Sequence, residues 1–383
     1  MFTEVRKNSQ IFQDSNKTYY PEDEMEVSSV VKELYKKNLP TELIGTGSKS
    51  FIGNKIQSAN KLSLSKISGI VEYLPEELYI KVKANTPLEV IEKELEKNNQ
   101  ELAFEPIDFG FIERGKSNTG TIGGYLSCNF AGSRRFKVGS ARDHILGFRG
   151  VNGKGEIIKS GGTVVKNVTG YDLSKLVTGS FGTLVALTEV VLKVLPKKKL
   201  SNTIIIHTED KKLVSELFEK ISSSSSEVSG AVFIPDEPED NDYNHNKEMI
   251  FKFNDLNSNG SFLGLRLEGD KVAIDEKTKT LTSELELNKM NTSILDLHQS
   301  VPFWKKINNL ELFTETKNNL LRAVIPPSKG NELMQKLGNK YKYYIDWCGS
   351  LYWIEVQAKK NMKIVEIKKL IKELGGYLTI IKT

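Results

Sequence analysis

The sequence contains few of the residues that bind metals or form disulfides. Its 383 residues include only two cysteines, Cys128 and Cys348, which stand far apart. That number and spacing exclude a disulfide framework, a CxxC zinc site and iron–sulfur ligation by this chain. The four histidines are scattered along the sequence: His144, His207, His245 and His298. A zinc-type ligand cluster is therefore not expected, and no metal site is predicted.

Long apolar runs and a strong charge imbalance are also missing. No run approaches the roughly 18 apolar residues that span a bilayer, and the first residues lack the apolar stretch of a signal peptide. The net charge of +5 comes mostly from scattered lysines, which favour a solvated surface over a nucleic-acid-binding face. We expect a cytoplasmic chain of two domains, with any membrane contact made through a partner.

Arginine is sparse except in one part of the sequence. Five arginines occur close together there: Arg114, Arg134, Arg135, Arg142 and Arg149. A lysine-rich chain that uses arginine at these positions can need rigid guanidinium groups near a phosphate or carboxylate. Ordinary surface ion pairs would produce the same pattern, and both interpretations stay open.

A series of glycine turns lies between residues 121 and 196, separated by β-branched apolar runs. The turns occur in these segments: Thr121-Ile122-Gly123-Gly124, Ser127-Cys128-Asn129 to Gly132, Asn167-Val168-Thr169-Gly170, and Gly179-Ser180-Phe181-Gly182-Thr183-Leu184. Glycine permits positive φ or a close approach of the backbone to a bound group, so the series indicates a large ligand held by the main chain. Earlier in the chain, Gly45-Thr46-Gly47 can direct N–H groups at an anion, although a plain tight turn has the same pattern.

Secondary-structure patterns place a boundary at residue 197. Before it, they predict helices over 21–39 and 88–97, strands at 43–44, 78–82 and 189–195, and a loop over 107–120. Thr86 is the predicted N-cap of the second helix, with Pro87 as its first residue. After the boundary, strands at 203–207, 232–234, 262–268, 321–325, 351–356 and 377–381 alternate with helices at 211–221, 273–287, 329–337 and 361–374. This alternation predicts an α+β domain with an antiparallel sheet.

Several motifs together resemble one family of flavoproteins. They are Gly45-Thr46-Gly47-Ser48, Thr121-Ile122-Gly123-Gly124, Lys166-Asn167-Val168-Thr169-Gly170-Tyr171-Asp172, Gly179-Ser180-Phe181-Gly182-Thr183-Leu184, and Asp346-Trp347 with Gly349 and Trp353. In this order they resemble proteins with an FAD domain of the PCMH or vanillyl-alcohol-oxidase type, and most closely the FAD-binding E subunits of bacterial glycolate oxidases. The resemblance implies an α+β fold: a two-part FAD-binding domain over residues 1–196, then an α+β cap domain with an antiparallel sheet over residues 197–383.

The resemblance also implies which residues bind FAD. The loop and turn that would wrap the pyrophosphate comprise Gly45, Thr46, Gly47, Ser48, Lys49, Ser50, Thr121, Ile122, Gly123 and Gly124. Ser127 and Asn129 would line the cofactor, and the adenine and ribose would follow Gly182, Thr183, Leu184 and Val185. Ser48 occupies the loop region where covalent-flavin relatives carry histidine, so we expect non-covalent FAD.

Two departures from catalytic relatives leave the catalytic residues unassigned. Relatives that oxidise D-2-hydroxy acids carry a glutamate where this chain has Phe181, and they have a late Glu-His-Gly triplet that is missing here. Arg322 is a candidate for binding a carboxylate. His298 is a candidate base without partners in sequence, whereas His144 is interpreted as a packed residue. Cys128 is interpreted as a small buried residue.

Three functions are compatible with the sequence. The first is the FAD subunit of a complex that oxidises glycolate, or another small 2-hydroxy acid, with a second FAD-containing subunit and an iron–sulfur subunit as partners. The second is a self-sufficient FAD-dependent dehydrogenase for D-lactate or a related acid, which the missing triplet disfavours. The third is a non-catalytic scaffold subunit, which the glycine loops disfavour.

Overall fold

The computed structural model describes residues 17–53, 56, 58, 60–115, 117, 120–163, 170–236, 238, 260–358 and 361–383. Within these ranges, no helix combines the length and the apolar character that a membrane crossing requires. The helices and strands before residue 197 form two principal sheets with their own helices, and those after it form one large sheet.

The first sheet is small and parallel. Its strands are β1 (Thr18–Tyr19), β2 (Thr41–Ile44) and β3 (Asn60–Ser63), in the order β1-β3-β2. Helix α1 (Glu24–Lys36) connects β1 to β2 and buries Val27 and Leu34. The Asp23 side chain caps this helix by accepting a hydrogen bond from the Glu26 N–H. Helix α1 and the loop that follows β2 are therefore both connected directly to strands of this small sheet.

The second sheet is antiparallel and contributes most of the first core. The strands that follow β3 are β4 (Ile70–Leu74), β5 (Tyr79–Lys83), β6 (Gln100–Glu101), β7 (Ile145–Asn152), β8 (Ile157–Gly161), β9 (Val185–Lys193) and β10 (Leu195–Pro196). The helices are α2 (Leu88–Glu96), α3 (Gly110–Arg114), α4 (Ile122–Cys128), α5 (Arg135–Val138), α6 (Ala141–His144) and α7 (Leu173–Val177). The sheet order is β4-β5-β9-β7-β8, and β6 pairs separately with β10. Apolar residues of α2 and α4, including Ile91 and Leu126, pack against this sheet.

The third sheet has eight antiparallel strands. They are β11 (Leu200–His207), β12 (Gly230–Ile234), β13 (Phe262–Gly269), β14 (Thr292–Leu295), β15 (Asn319–Val324), β16 (Lys342–Asp346), β17 (Leu351–Val356) and β18 (Tyr377–Lys382). The helices are α8 (Lys211–Ser223), α9 (Lys271–Glu284), α10 (Leu297–Asn308), α11 (Gly330–Leu337) and α12 (Asn361–Glu373), with 3-10 turns at Leu287–Lys289, Glu311–Phe313 and Pro327–Lys329. The strand order is β14-β11-β13-β12-β16-β17-β15-β18.

The two faces of this sheet bury different cores. Because side chains alternate along a strand, Leu321 and Ala323 of β15 join the core beneath α8, α11 and α12, whereas Leu320 joins the opposite core. That opposite core includes α10 and residues of the first part of the chain, among them Phe109 and Phe130. The face of the sheet that carries Leu320 and Trp353 is therefore the junction between the two parts.

A buried ion cluster also joins the two parts. Arg134 donates to Glu101 at 2.7 Å and to Glu268, and Arg266 donates to Glu105 at 2.7 and 3.1 Å. Glu101, Glu105 and Arg134 precede the boundary, whereas Arg266 and Glu268 belong to β13. Three carboxylates thus contact two guanidinium groups at the junction, which offset most of their charge.

Most predicted elements are confirmed, and the α+β class with an antiparallel second sheet is correct. The strand predicted at 351–356 is β17, and the helix predicted at 361–374 is α12. The predicted division at residue 197 stays a prediction. Residues 166–169 of the Lys166–Asp172 motif lie outside the described residues.

Two local predictions were wrong, and one helix was not predicted. Pro87, with φ −58° and ψ 139°, is itself the residue before α2, and the Thr86 hydroxyl instead donates to the Lys83 carbonyl at 2.6 Å. The predicted loop over 107–120 contains the short helix α3. Helix α10 was missed because it contains Pro302, which usually argues against a helix interior.

Candidate functional site

The loop after β2 presents a row of backbone donors. The N–H groups of residues 45–49 donate no hydrogen bond within the described part of the chain. A turn in which Ser50 N–H bonds to the Gly47 carbonyl at 3.2 Å holds the loop, and Gly47 has φ +72° with open space where a Cβ would stand. Successive unbonded amides form a site for an anion such as a phosphate. A pyrophosphate contact for Gly45, Thr46, Gly47, Ser48 and Lys49 stays a prediction that this geometry allows.

The Thr121–Gly124 segment has a different geometry from the one predicted. It is the capped start of α4 and not a separate turn, because the Thr121 side chain accepts from the Gly124 N–H at 3.4 Å. The Ile122 and Gly123 amides bond to the carbonyls of Thr86 and Ala84. A Cβ on Gly123 would lie 2.8 Å from the Ala84 carbonyl oxygen, so glycine is required there for packing. A cofactor contact for Thr121, Ile122, Gly123 and Gly124 stays a prediction.

The loop that contains Gly182 lies beside both of these segments. The Phe181 N–H bonds to the Ser127 carbonyl at 2.8 Å, which ties the loop to the end of α4. Phe181 has φ +54° and Gly182 has φ +71°, and a Cβ on Gly182 would lie 3.1 Å from Leu43 of β2. Asn129, the C-cap of α4, is also left-handed. The structure therefore brings together three of the predicted cofactor-binding segments.

A cavity of about 560 Å³ opens between these elements and α1. Its wall includes residues Leu34 and Tyr35 of α1, Leu43 of β2, and residues 182–186. An apolar cavity bounded by two chain segments can enclose a flat aromatic ring. Gly182, Thr183, Leu184 and Val185, which were predicted to follow adenine and ribose, all line it.

Lys49 adds a positive charge to the Gly45–Ser50 loop. Its Nζ lies 3.3 Å from Ser48 Oγ and 5.4 Å from the centroid of the Tyr125 ring, and no ion pair to a described carboxylate is formed. Burial lowers the pKa of the Lys49 amine. Burial also raises the pKa of the nearby Cys128 thiol to about 11, so Cys128 is a neutral, half-buried thiol at neutral pH. This agrees with its interpretation as a packing residue.

A second charged feature lies in the aromatic core of the junction. Arg322 of β15 is 5% exposed and its guanidinium carbon lies 5.3, 4.9 and 5.9 Å from the ring centroids of Phe130, Trp347 and Trp353. Its Nε has no hydrogen-bond partner, and burial lowers the pKa of the side chain. A buried guanidinium without a carboxylate is costly unless a ligand supplies one.

Neither His144 nor His298 contributes a base to this region. His144 is buried, as predicted, with Nε2 3.0 Å from the Val138 carbonyl, and burial lowers its pKa. His298 is exposed in the first turn of α10. Among the described residues, no group of His, Cys, Asp or Glu side chains could hold a metal ion. The catalytic residues therefore remain unassigned.

The arginine-rich stretch resolves into individual roles. Arg134 belongs to the ion cluster at the junction, and Arg149 pairs with Glu24. Arg142 is exposed and bonds to the Lys175 carbonyl, whereas Arg135 lies with its guanidinium carbon 4.6 Å from the Trp347 ring centroid. Arg149 fits the interpretation as an ordinary ion pair, whereas a contact of these arginines with a phosphate or a ligand carboxylate stays a prediction.

Sequence reasoning missed the burial of the Asp346 carboxyl group. Asp346 accepts hydrogen bonds from Ser133 Oγ and from the Trp347 N–H, both at 2.6 Å. Burial raises the pKa of Asp346 to about 7. The Asp346-Trp347 pair was noted as a motif, but only the tertiary contact with Ser133 shows that the carboxyl group is buried.

The described residues fit a large cofactor that contains phosphate. The unbonded amides with Lys49 suit a pyrophosphate, and the cavity beside residues 182–186 suits a flat ring system. Both features lie on segments that contact one another through Gly182 and Leu43.

Comparison with known proteins agrees with this fit. Residues 16–161 match the family described as an FAD binding domain. The chain is 30% identical over 350 residues to the glycolate oxidase subunit GlcE of Escherichia coli, a match that covers 91% of this chain and 84% of that protein. It is 33% identical over 187 residues to a D-lactate dehydrogenase of Anaerostipes hadrus, covering 48% of this chain and 37% of that protein.

A solved structure shares the fold across both parts of the chain. An alkyldihydroxyacetonephosphate synthase superposes with a TM-score of 0.66 at 16% identity, covering 94% of this chain and 71% of that one. At this identity the likeness concerns the fold alone. The match to GlcE, which extends over most of both proteins, and the match to the FAD binding domain establish the relationship and the cofactor, FAD. The chain belongs to the family of FAD-binding E subunits of bacterial glycolate oxidases, whose FAD domain is of the PCMH type.

Proposed function

We propose that this chain is the FAD-carrying E-type subunit of a complex that oxidises glycolate to glyoxylate. A second FAD-containing subunit and an iron–sulfur subunit would complete the complex, because the chain has too few cysteines to hold such a cluster. The proposal rests on the combination of two features: the row of unbonded amides after β2, and the buried Arg322, whose Nε has no hydrogen-bond partner and whose guanidinium forms no ion pair with a described carboxylate. One is suited to a phosphate and the other to a carboxylate.

The loop over residues 45–50 would hold the pyrophosphate of FAD, with Lys49 offsetting part of its charge. Residues 182–185 would lie along the adenine and ribose, and Ser127 and Asn129 would line the cofactor between these ends. Bound FAD supplies the acceptor for the hydride of a 2-hydroxy acid. The loop lacks histidine, so we expect the cofactor to be non-covalent. Acid precipitation should release the yellow colour, and flavin retained on the denatured chain would contradict this.

Arg322 would bind the substrate carboxylate through two parallel hydrogen bonds. Its aromatic surroundings exclude water, which strengthens a charge–charge contact there relative to one at the surface. The substrate would replace the counter-ion that the described residues do not provide.

We expect the isolated chain to oxidise 2-hydroxy acids slowly. Oxidation requires a group that accepts the hydroxyl proton, and such a base commonly contributes about 10²–10⁴ in rate. His298 is exposed, and both Asp346 oxygens already accept hydrogen bonds from Ser133 and Trp347. Efficient turnover would therefore require the partner subunits.

The test is anaerobic bleaching of the flavin absorbance. The FAD-loaded chain is mixed with glycolate and separately with D-lactate, first alone and then with the two candidate partner subunits. Slow bleaching alone and fast bleaching in the complex are expected. Bleaching at ordinary enzymatic rates by the isolated chain would favour a self-sufficient dehydrogenase, which the match to D-lactate dehydrogenase also allows. A chain that bound no flavin would instead be a scaffold subunit.

A further inference from the structure

Two walls of the cavity of about 560 Å³ end in exposed apolar side chains. Tyr35 of α1 and Leu184, which directly precedes β9, both line the cavity and are 58% and 46% exposed. Their neighbours on the same walls, Leu34 and Val185, are buried. Each wall therefore continues from the protein interior to an apolar residue at the mouth, where a ligand that fills the cavity would cover it.

The position of the wall that carries Tyr35 is fixed by the first half of α1. Ser28 Oγ donates to the Gly155 carbonyl at 2.6 Å, and Thr188 Oγ1 donates to Glu24 at 2.7 Å. Tyr35 lies about two turns beyond Ser28, and its hydroxyl forms no hydrogen bond with another described residue. The helix is thus held in place by other side chains, which leaves the Tyr35 ring free to contact a ligand.

The chemistry of the walls suits the face of an uncharged flat ring. Further apolar side chains of the cavity are those of Val31, Leu43, Leu62 and Val151. Among the described residues that line it, there is no Asp, Glu, Lys or Arg. The pyrophosphate of FAD would therefore lie outside the cavity, at the unbonded amides after β2, and a ring of the cofactor would lie inside.

We propose that Tyr35 is a specificity-determining residue for the cofactor: its ring stacks on the adenine of FAD, opposite Leu184, so that the chain selects FAD over FMN. This inference rests on the proposed function, which places adenine along residues 182–185. Stacking of an aromatic side chain on a base changes the affinity by about 5- to 100-fold. An ordinary surface tyrosine would change no binding constant.

The experiment measures Kd values for the full chain, freed of flavin, by calorimetry with FAD, FMN and ADP as probes. FMN contains the flavin without adenine, and ADP contains adenine without the flavin. We expect the unmodified chain to bind FAD more tightly than FMN. Tyr35→Ala should raise the Kd for FAD and for ADP by a similar factor, at least about fivefold, and leave the Kd for FMN within about twofold. Tyr35→Phe, which keeps the ring, should bind all three probes as the unmodified chain does.

Tyr20→Ala is the matched control. Tyr20 precedes α1 and is 55% exposed, but it is not among the described residues that line the cavity. Its replacement should change none of the three Kd values. The flavin-free forms of both alanine variants should unfold at the same urea concentration as the unmodified chain, whereas a structural role of Tyr35 would lower that concentration and weaken all three probes together.

Three outcomes would overturn the inference: equal weakening of FMN and FAD by Tyr35→Ala, unchanged Kd values for FAD and ADP in that variant, or no binding of ADP to the unmodified chain. If Tyr35→Ala changes no Kd but Gly47→Val in the amide row still weakens FAD, the proposed function stands and this inference fails. If the unmodified chain binds no flavin, both fail.

Discussion

The junction contains two kinds of arginine that differ in their counter-ions. Arg134 and Arg266 are surrounded by carboxylates, and although burial alone would raise the pKa of Glu268, these guanidinium groups lower it to about 2. Arg322 and Arg135 contact aromatic rings and form no ion pair with a described carboxylate. Similar side chains in one interface thus pair with carboxylates in one region and with none in the other.

This difference separates stability from binding. A buried ion pair whose members satisfy each other contributes to holding two surfaces in register, and breaking it leaves a buried charge. A buried cation without a counter-ion destabilises the fold by itself and gains a partner only when an anion binds. The ion cluster should therefore dominate unfolding experiments, and Arg322 should dominate ligand experiments.

The largest effect on stability is expected when the ion cluster at the junction is disrupted. Arg266→Met removes both hydrogen bonds to Glu105 and leaves that buried carboxylate with less compensation. We expect the free energy of unfolding at pH 7 to fall by about 3–5 kcal/mol. The loss should shrink as the pH falls from 4.5 towards 2, because the low pKa of Glu268 adds stability only where the unfolded carboxyl is ionised. Urea titration measures the loss in the free energy of unfolding. An unchanged midpoint of the unfolding transition would show that the cluster does not hold the junction.

Asp346 is a buried carboxyl group without an ion pair, and its pKa is shifted in the direction opposite to that of Glu268. Burial raises the pKa of Asp346 to about 7, so the folded chain binds a proton between pH 4 and 7 that the unfolded chain has released. Its contribution to stability is therefore lost as the pH rises. We compare the change in the free energy of unfolding that Asp346→Asn causes at two pH values. This change should be more favourable at pH 8 than at pH 4 by about 2–4 kcal/mol. Unfolding curves of both proteins across this range test it, and a pH-independent difference would contradict it.

The role of the unbonded amides of residues 45–49 in FAD binding can be tested at Gly47. Gly47→Val forces a β-branched residue into φ +72° and fills open space beside the amide row. We expect the Kd for FAD to rise at least about tenfold, or about 1.4 kcal/mol, with little loss of structure after residue 197. Gly338→Val, at φ +57° in the C-cap of α11, imposes similar strain away from the site and should bind FAD normally. Full flavin occupancy in Gly47→Val would refute the assignment of the loop.

The smallest effect is expected for a surface ion pair. Lys93 and Glu89 are 2.6 Å apart, but their side chains are 71% and 65% exposed. Water and salt screen such a pair, so Lys93→Met should unfold at the same urea concentration as the unmodified chain. A loss comparable with that of Arg266→Met would mean that burial does not explain the difference between ion pairs.

The sequence supports predictions best where the information is local. Helix α12 and strand β17 were predicted closely because their apolar spacing is regular. The glycine loop over residues 45–50 was predicted because positive φ at Gly47 and a following polar turn are local requirements. The cap of α2 was not, because the Thr86 hydroxyl donates to the nearby Lys83 carbonyl and accepts from the N–H of Gly69, which is 17 residues away in sequence.

The junction could not be predicted in the same way. Arg322 was singled out as a carboxylate ligand, but its isolation from carboxylates depends on Phe130 and Trp347, which are distant in sequence. The same sequence pattern gave Arg134 three carboxylate neighbours and Arg135 an indole ring. The groups that surround each arginine depend on how the large sheet packs against the first part of the chain. The spacing of residues along the sequence does not encode this packing.

The hydrogen bond from the Trp347 indole to the Gly132 carbonyl has a consequence for biosynthesis. The two residues are 215 positions apart, so at about 5–20 residues per second the ribosome completes the second about 10–40 s after the first. During that interval the apolar surface around Phe109 and Phe130 has no sheet to cover it. Nascent chains therefore pass through an aggregation-prone stage, and chaperones that hold them there should raise the yield of native protein.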